Sequence, residues 1–199
     1  MQESIYGEYL PQLKAALDYI LDGINDIRKK IKEEKTTDPI EHCLARIKSE
    51  DSMREKCRRK GLPEDTHSAL EVIRDAVGVR VVCTFISDVY TIRDYLSAMP
   101  DCEIIQEKDY IRHAKPNGYR SYHLILRVKK KIYAEIQLRT ISMDTWAALE
   151  HQLKYKQSIG GNTKLIEEEL KRCADELAST DISMQTIRDM IFENRGDAN

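Results

Sequence analysis

The sequence predicts an α/β fold, in the α+β sense: a mixed sheet of four to five strands flanked by helices, with a long helix at each end of the chain. Heptad-spaced apolar residues occur at both ends, and short β-patterned segments lie between them. The 199 residues are 41% hydrophobic, which is enough to form a core. We expect one domain over 1–199, with an N-terminal helix over 1–35, a central α/β core over 36–157 and a C-terminal helix over 162–195.

The terminal helices are predicted from apolar residues separated by alternating steps of three and four. At the N-terminus this stripe runs from Tyr6 to Ile31, and at the C-terminus it runs from Ile166 to Ile191. Such stripes pack either on each other within one chain or across a subunit interface. The sequence leaves both arrangements open.

The segment after the first helix is predicted to be helical as well. Pro39 is expected to open a helical stretch, and a charged helix is expected over 53–60. Asp65 or Thr66 is expected to cap a short helix that runs through Ile73.

The strands are predicted from apolar runs and from alternation. Residues 78–86 are apolar on both faces, which is typical of a buried central strand. Residues 102–111 form a further predicted strand, after a covering helix over 89–98. Residues 121–128 and 131–139 are separated by lysines and predict a hairpin.

A last core helix is predicted after the hairpin, over 143–156. Its buried side is expected to carry Trp146, Leu149 and Leu153. A break is expected over 160–162, at Gly-Gly-Asn, before the C-terminal helix begins.

The composition argues against several classes of protein. A net charge of −2 is unlike that of a general nucleic-acid coat protein, so no DNA partner is expected. No apolar run approaches the ~20 residues that span a bilayer, and the N-terminus lacks a signal-peptide pattern. We therefore expect a cytoplasmic protein without a membrane partner. The five cysteines are scattered, so Cys83 and Cys173 are expected to fill apolar positions rather than form disulfides or a zinc site.

Two motifs contain most of the residues capable of chemistry: KPNGYRSYH over 115–123 and AEIQLRT over 134–140. Because successive side chains of a strand lie on opposite faces, Glu135, Gln137 and Arg139 share one polar face. A carboxylate, an amide and a guanidinium on one face are suited to binding phosphates and a metal.

Two acidic residues are candidate metal ligands. Asp75 lies just before the central strand, and Glu135 lies within a later strand. Residues at strand ends of an α/β sheet often converge on one cleft, and Mg²⁺ is commonly held by one or two carboxylates plus substrate phosphates. Taken alone, its spacing favours the interpretation of Asp75 as a surface turn residue next to Arg74. Glu135 is harder to explain this way, because an unpaired charge in mid-strand is costly if it is buried.

Basic residues that can offset phosphate charge are spread along the chain. They are Arg46, Lys48, Arg54, Lys56, Arg58, Arg59, Lys108, Arg112, Lys115, Arg120 and Arg139. Several residues between 54 and 60 are as well explained by a solvated helix face. Tyr119 follows the turn signal Asn117-Gly118, so its ring is either exposed for stacking on a nucleobase or an ordinary half-buried tyrosine.

Four segments occur in an order and spacing that resembles the synthetase domain of RelA/SpoT homologues. They are RDAVGVRVV, NGYRSYH, EIQLRT and WAALEHQLKYK, which begin at Arg74, Asn117, Glu135 and Trp146. The resemblance spans about residues 40–157, and the chain is similar in size to the small, stand-alone alarmone synthetases. The fold that it implies is a sheet of the nucleotidyltransferase type.

The resemblance implies a Mg²⁺-dependent pyrophosphokinase, with Mn²⁺ as an alternative ion, that moves the β,γ-diphosphate of ATP onto the 3′-hydroxyl of GTP or GDP and releases AMP. By this resemblance Asp75 and Glu135 are the catalytic and metal-binding residues, with Glu135 either a metal ligand or the base. The implied ATP-binding residues are Arg46, Lys48, Lys56, Arg80 and Lys108, of which Arg46 and Lys108 would sandwich adenine. The implied GTP-binding residues are Lys115, Asn117, Tyr119, His123 and Gln137, supported by Arg139.

Two further readings stay open at this point. One is a regulator that binds nucleotides or single-stranded RNA without catalysis, and the other is a pyrophosphokinase that acts on another acceptor, such as ADP or an RNA 3′ end. Similar small synthetases often form homotetramers through their terminal helices, which suits the two heptad stripes.

Overall fold

The computed structural model describes residues 3–35, 37–155 and 163–196, and it confirms the predicted fold class. A five-stranded mixed sheet is flanked by helices, with a long helix at each end. The helices are α1 (Leu10–Lys35), α2 (Glu50–Arg59), α3 (Ile86–Ser97), α4 (Ile141–Tyr155) and α5 (Thr163–Gly196), together with a π-helical turn at Ser68–Ile73. The strands are β1 (Ile40–Ile47), β2 (Val77–Cys83), β3 (Cys102–Asp109), β4 (Tyr122–Val128) and β5 (Ile132–Thr140).

The strand order across the sheet is β1-β2-β5-β4-β3. β2 and β5 are parallel neighbours, and the other three pairs are antiparallel. The register places Gly78 beside Glu135 and Arg80 beside Gln137. Residues of β2 and β5 that the sequence separates by more than fifty positions therefore lie on adjacent strands.

The N-terminal stripe packs within the chain. Leu13, Ile20, Ile24 and Ile31 are buried, and α1 lies against β1, β2 and β5 on one face of the sheet. This contact covers one face of the sheet with apolar side chains. The polar residues of the strands are left on the opposite face, where a substrate can reach them.

The C-terminal stripe is only partly buried in the described structure. Ala174 is buried against the rest of the chain, but Met184, Ile187 and Ile191 are about half exposed. α5 therefore carries apolar surface that the described part of this chain does not cover.

One predicted element is wrong: the stretch that follows Pro39 is the edge strand β1 and not a helix. Its residues include Glu41, Leu44 and Ala45, whose local preference favours a helix. Pairing with β2 from Ile40 to Ile47 overrides that preference. By contrast, the predicted cap is confirmed, since Asp65 Oδ1 accepts a hydrogen bond of 2.8 Å from the Ser68 amide.

Three predicted burials are wrong. α4 buries Trp146, but Leu149 and Leu153 are exposed, because α4 packs on α5 and β5 along one side only. Cys83 is buried as expected, whereas Cys173 on α5 is exposed. The predicted break over 160–162 lies outside the described residues. Within the described ranges, we find no helix that is both long enough and apolar enough to cross a bilayer.

Candidate active site

A cavity of about 380 Å³ opens on the sheet face away from α1, a volume typical of small-ligand sites. It lies over β1, β2 and β5, where the register puts Arg46, Gly78 and Glu135 side by side. The sequence-predicted residues that line it are Arg46, Lys48, Asp75, Arg80, Glu135 and Gln137. The two candidate carboxylates therefore share one cavity with cationic side chains.

Asp75 is positioned by the left-handed backbone turn that leads from the π-helical turn into β2. The π-helical turn ends at Arg74, whose φ of +62° is in the left-handed region, and Asp75 follows directly. The Asp75 side chain is 8% exposed, and its Oδ2 accepts hydrogen bonds from the ammonium groups of Lys48 and Lys56. Burial lowers the pKa of Lys48, and its bond to Asp75 opposes that effect. The sequence therefore places a buried carboxylate between two cations, and the surface-turn reading is wrong.

The second oxygen of Asp75 provides a test of whether a metal fits. Asp75 Oδ1 is buried and has no hydrogen-bond partner among the described residues. A buried carboxylate oxygen without a hydrogen-bond partner is costly unless a ligand supplies one. Within the described ranges no group of three or more potential ligand side chains is arranged to hold a metal. Asp75 and Glu135 both line the cavity, and two carboxylates suit Mg²⁺ when substrate phosphates supply the other ligands.

Glu135 is held in its ionised form. Nδ1 of His123 lies 3.6 Å from Glu135 Oε1, and Gln137 Nε2 donates to Glu135 Oε2 at 3.1 Å. The pKa of Glu135 is lowered to about 2, chiefly by His123, although burial acts in the opposite direction. This carboxylate is therefore a strong candidate for a cation ligand at neutral pH and a weak proton acceptor.

Glu135 belongs to a closed ring of five side chains. Arg139 Nη2 donates to Gln137 Oε1 at 3.0 Å and to the Tyr119 hydroxyl at 2.8 Å. The Tyr119 hydroxyl lies 2.8 Å from His123 Nε2, and His123 reaches back to Glu135. The Tyr119 hydroxyl can both donate and accept, so the His123 tautomer decides which of the two groups donates in their contact. The ring thereby connects Glu135 to Arg139 through polar contacts on both sides.

The loop before β4 carries Tyr119 in a half-buried position rather than an exposed one. The ring of Tyr119 lies edge-on to Trp146, with centroids 6.5 Å apart, and the Lys115 ammonium is 4.8 Å from its centroid. Asn117 Oδ1 accepts from the Tyr119 amide at 3.2 Å, which stabilises the turn. Stacking of a nucleobase on Tyr119 requires Lys115 to move aside from the ring.

Lys108 does not lie near Arg46. Lys108 is on β3 and Arg46 is on β1, which are opposite edges of the sheet. Four strand spacings of about 4.8 Å put about 19 Å between them. Lys108 pairs instead with His123 on β4, next to the ring. The adenine sandwich stays a prediction, and it requires both long side chains to reach inward.

Two residues were not assigned to this site from the sequence. Gly78 lies beside Glu135 and leaves the floor of the cavity open, and a glycine inside a strand is itself a signal of close approach. Asp144 lies in the first turn of α4 and pairs with both Arg80 and Arg139. In the sequence it lies in the first turn of the helix that follows the strand carrying Glu135.

Comparison with known proteins agrees with this geometry. Residues 45–160 match the family model described as a region found in RelA / SpoT proteins. The chain is 44% identical over 144 residues to GTP pyrophosphokinase YwaC of Bacillus subtilis, which covers 69% of this chain and 68% of the relative. It is 32% identical over 200 residues to GTP pyrophosphokinase YjbM of the same organism, which covers 97% of this chain and 93% of the relative.

A solved structure shares the whole architecture. The crystal structure of small alarmone synthetase 1 from Bacillus subtilis, bound to its product pppGpp, matches with a TM-score of 0.79 and 32% identity. The match covers 92% of this chain and 95% of that structure. The family model spans more than half of this chain, and a relative more than 30% identical is covered almost throughout. The chain therefore belongs to the RelA/SpoT family, and its relatives include the small alarmone synthetases.

Proposed function

We propose that this protein transfers the β,γ-diphosphate of ATP to the 3′-oxygen of GTP or GDP. The 3′-oxygen bonds to the β-phosphorus, the bond from that phosphorus to the α,β-bridging oxygen breaks, and AMP leaves with that oxygen. The proton of the 3′-hydroxyl is released. The products are guanosine pentaphosphate or tetraphosphate and AMP.

The observation that carries the proposal is the composition of the cavity. Asp75 and Glu135 line it together with the cationic side chains of Arg46, Lys48 and Arg80. Attack at a phosphorus atom requires alignment and charge stabilisation more than covalent help from the protein. The names of YwaC and YjbM as GTP pyrophosphokinases, and the pppGpp bound to the related crystal structure, support the same reaction.

Asp75 and Glu135 would hold Mg²⁺, or Mn²⁺ in its place, through the unpartnered Asp75 Oδ1 and the ionised Glu135 carboxylate. When bound, such an ion stabilises negative charge on the transferring diphosphate and favours ionisation of the attacking hydroxyl. The lowered pKa of Glu135 supports the role of ligand over that of base.

The basic side chains near Asp75 are suited to the triphosphate of ATP, which is the donor of the diphosphate. Lys48 and Lys56 are counterions of Asp75, and Arg80 has a buried Nε with no hydrogen-bond partner among the described residues. These three side chains would bind the phosphates of ATP, since Lys48 and Arg80 line the cavity and Lys56 bonds to Asp75, which also lines it. Arg46 lines the cavity at the edge strand and, with Lys108, would contact adenine.

The guanine nucleotide, which accepts the diphosphate, is assigned to the loop before β4 and to the ring of five side chains that includes Glu135. Tyr119 would stack on guanine, and Lys115, which already lies over its ring, would turn to the nucleotide phosphates. Asn117 would contact the base, while His123 and Gln137 would contact the ribose side next to Glu135. Arg139 would hold Tyr119 and Gln137 in place.

The test is an assay with purified protein, Mg²⁺ and ATP labelled at the γ-phosphate, to which GTP, GDP, GMP, ADP or an RNA oligonucleotide is added in turn. We expect label in a guanosine product and one AMP released per product. Label transferred to ADP alone, or to an RNA 3′ end, would indicate another acceptor. Nucleotide binding without AMP release in any arm would indicate a non-catalytic regulator and would overturn the proposal.

Removal of the divalent ion is a second test of the same site. Excess EDTA is expected to abolish AMP release, and either Mg²⁺ or Mn²⁺ should restore it, because a divalent ion would be needed to join the two carboxylates to the triphosphate and to stabilise charge on the transferring group. Full activity in EDTA would contradict the metal assignment while leaving the transfer reaction in place.

We further propose that two or more copies of the chain associate through α5, as a homotetramer in the cytoplasm. Met184, Ile187 and Ile191 form an apolar stripe that is half exposed in the single chain. Exposed apolar stripes at heptad spacing are typical of helix–helix association. A single-stranded RNA regulator is also proposed, because the basic side chains of Arg46, Lys48 and Arg80 line the cavity. The proposed association of copies has more direct support, because the apolar stripe of α5 is exposed.

A double substitution tests the assembly. Met184→Glu with Ile187→Glu is expected to convert the oligomer to a smaller species in light scattering coupled to size-exclusion chromatography, because buried charges oppose association. Ser183→Glu, at an exposed polar position of the same helix, is the matched control. A wild-type protein that is monomeric at tens of micromolar, or a double variant of unchanged mass, would contradict the proposal.

A further inference from the structure

One carboxylate connects the two halves of the site. Asp144 Oδ1 accepts a hydrogen bond of 2.9 Å from Arg139 Nη1 and lies 3.2 Å from Arg80 Nη1. Its Oδ2 lies 3.9 Å from His42 Nε2, and the Asp144 side chain is only 17% exposed. Asp144 therefore lies between an arginine assigned to ATP phosphates and an arginine assigned to the acceptor side.

The two arginines depend on Asp144 for their orientation. The Nε atoms of Arg80 and Arg139 are both buried and have no hydrogen-bond partner among the described residues. The other bonds of Arg139 go to Tyr119 and Gln137, which are neutral. Two guanidinium groups so close together repel each other unless a carboxylate lies between them. Asp144 supplies that charge, and one of its oxygens serves both.

Arg139 connects Asp144 by hydrogen bonds to the side chains assigned to substrate. It bonds Tyr119, the residue assigned to guanine, and Gln137, which bonds Glu135. A displacement of Arg139 therefore reaches the base-stacking ring and the catalytic carboxylate together. Partners behind the contacting residues commonly matter by 10- to 100-fold for this reason.

We propose that Asp144 is a positioning residue, which fixes Arg80 and Arg139 relative to each other and so aligns the diphosphate donor with its acceptor. The proposal rests on the function proposed above. Asp144 itself does not line the cavity, so it acts through the two arginines rather than by touching substrate.

A purely structural role makes a different prediction. An acidic residue in the first turn of a helix stabilises that helix through its dipole. If Asp144 did no more than this, its loss would lower the melting temperature and leave the kinetics of the folded protein unchanged.

The test uses Asp144→Asn, which keeps the shape of the side chain and removes its charge. We expect kcat/KM for GDP to fall by about 10- to 100-fold and GDP affinity, measured by calorimetry, to weaken by about tenfold. Arg139→Lys is expected to cause a similar loss. Because both changes interrupt the same connection, the double variant should be about as impaired as the worse single variant. All measurements are made below the melting temperature of each variant.

Glu64→Gln is the matched control, since Glu64 also bridges two arginines, Arg54 and Arg58, but outside the cavity. It is expected to leave kcat/KM and GDP affinity within twofold of wild type. Asp144→Asn with unchanged GDP affinity and kcat/KM, or losses that simply multiply in the double variant, would overturn the proposal. A wild-type protein that binds GDP but transfers no diphosphate would overturn the proposed function, while the calorimetric comparison would still decide the role of Asp144.

Discussion

Replacement of Glu135 by Gln is expected to lower turnover by roughly 10³-fold, because the ion and the developing charge lose a ligand in a low-dielectric site. Gln has nearly the same shape and can still bond Gln137 and His123, so the fold should be retained. The measurement is steady-state AMP release with saturating ATP and GDP, accompanied by circular dichroism and thermal unfolding.

The matched control for this variant is Glu103→Gln. Glu103 lies on the edge strand β3 and pairs with Arg127, away from the cavity. It should leave turnover within twofold of wild type. If Glu135→Gln kept a tenth or more of the activity, Glu135 could be neither an essential metal ligand nor the base.

Replacement of Gly118 by Ala is expected to lower kcat/KM for the guanine nucleotide by roughly 10²-fold, through displacement of the loop that carries Tyr119. Gly118 has a φ of +90°, and a Cβ at this position would lie 2.6 Å from Ala174 Cβ and 3.3 Å from the Lys171 Cα of α5. Because the obstacle includes helix backbone, the loop has to move. The readouts are the KM for GDP and the melting temperature.

Gly61→Ala separates strain from displacement. Gly61 has a φ of +67°, but no atom lies within 4 Å of the added Cβ. We expect a loss of about 1 kcal/mol of stability from the left-handed backbone and an unchanged KM for GDP. Adding Ala174→Gly to Gly118→Ala removes the nearest obstacle and should restore part of the GDP affinity. Equal KM values for the two single glycine variants would show that α5 does not position the loop.

The fold could be predicted from the sequence wherever one periodicity dominated. The α1 stripe has an apolar residue at each step from Leu13 to Ile31, and the alternation over 131–139 permits only one set of faces in a strand. β1 was not predictable in the same way, because its ladder with β2 outweighs helix-favouring residues such as Glu41 and Ala45. Pairing between strands is a tertiary property, and local preference does not contain it.

The site could be predicted as a set of chemical groups but not as an arrangement. Alternation along β5 predicted that Glu135, Gln137 and Arg139 lie on one face. The hydrogen bonds from Gln137 to Glu135 and from Arg139 to Gln137 confirm that they share it. The order of the strands in the sheet could not be predicted from the sequence, so the placement of Lys108 and Arg46 on opposite edges was not predicted either. Asp144 comes from a helix, and only the turn from β5 into α4 brings it to these arginines.

Binding of a divalent ion between Asp75 and Glu135 is the central claim, and a crystal structure with Mn²⁺ and a non-hydrolysable ATP analogue tests it most directly. We predict one anomalous peak in the cavity, coordinated by Asp75 Oδ1, by a Glu135 carboxylate oxygen and by phosphate oxygens of the analogue. Lys48 and Lys56 should then contact the phosphates. A Mn²⁺ ion held by the phosphates alone, with Asp75 still bonded only to its two lysines, would contradict the account.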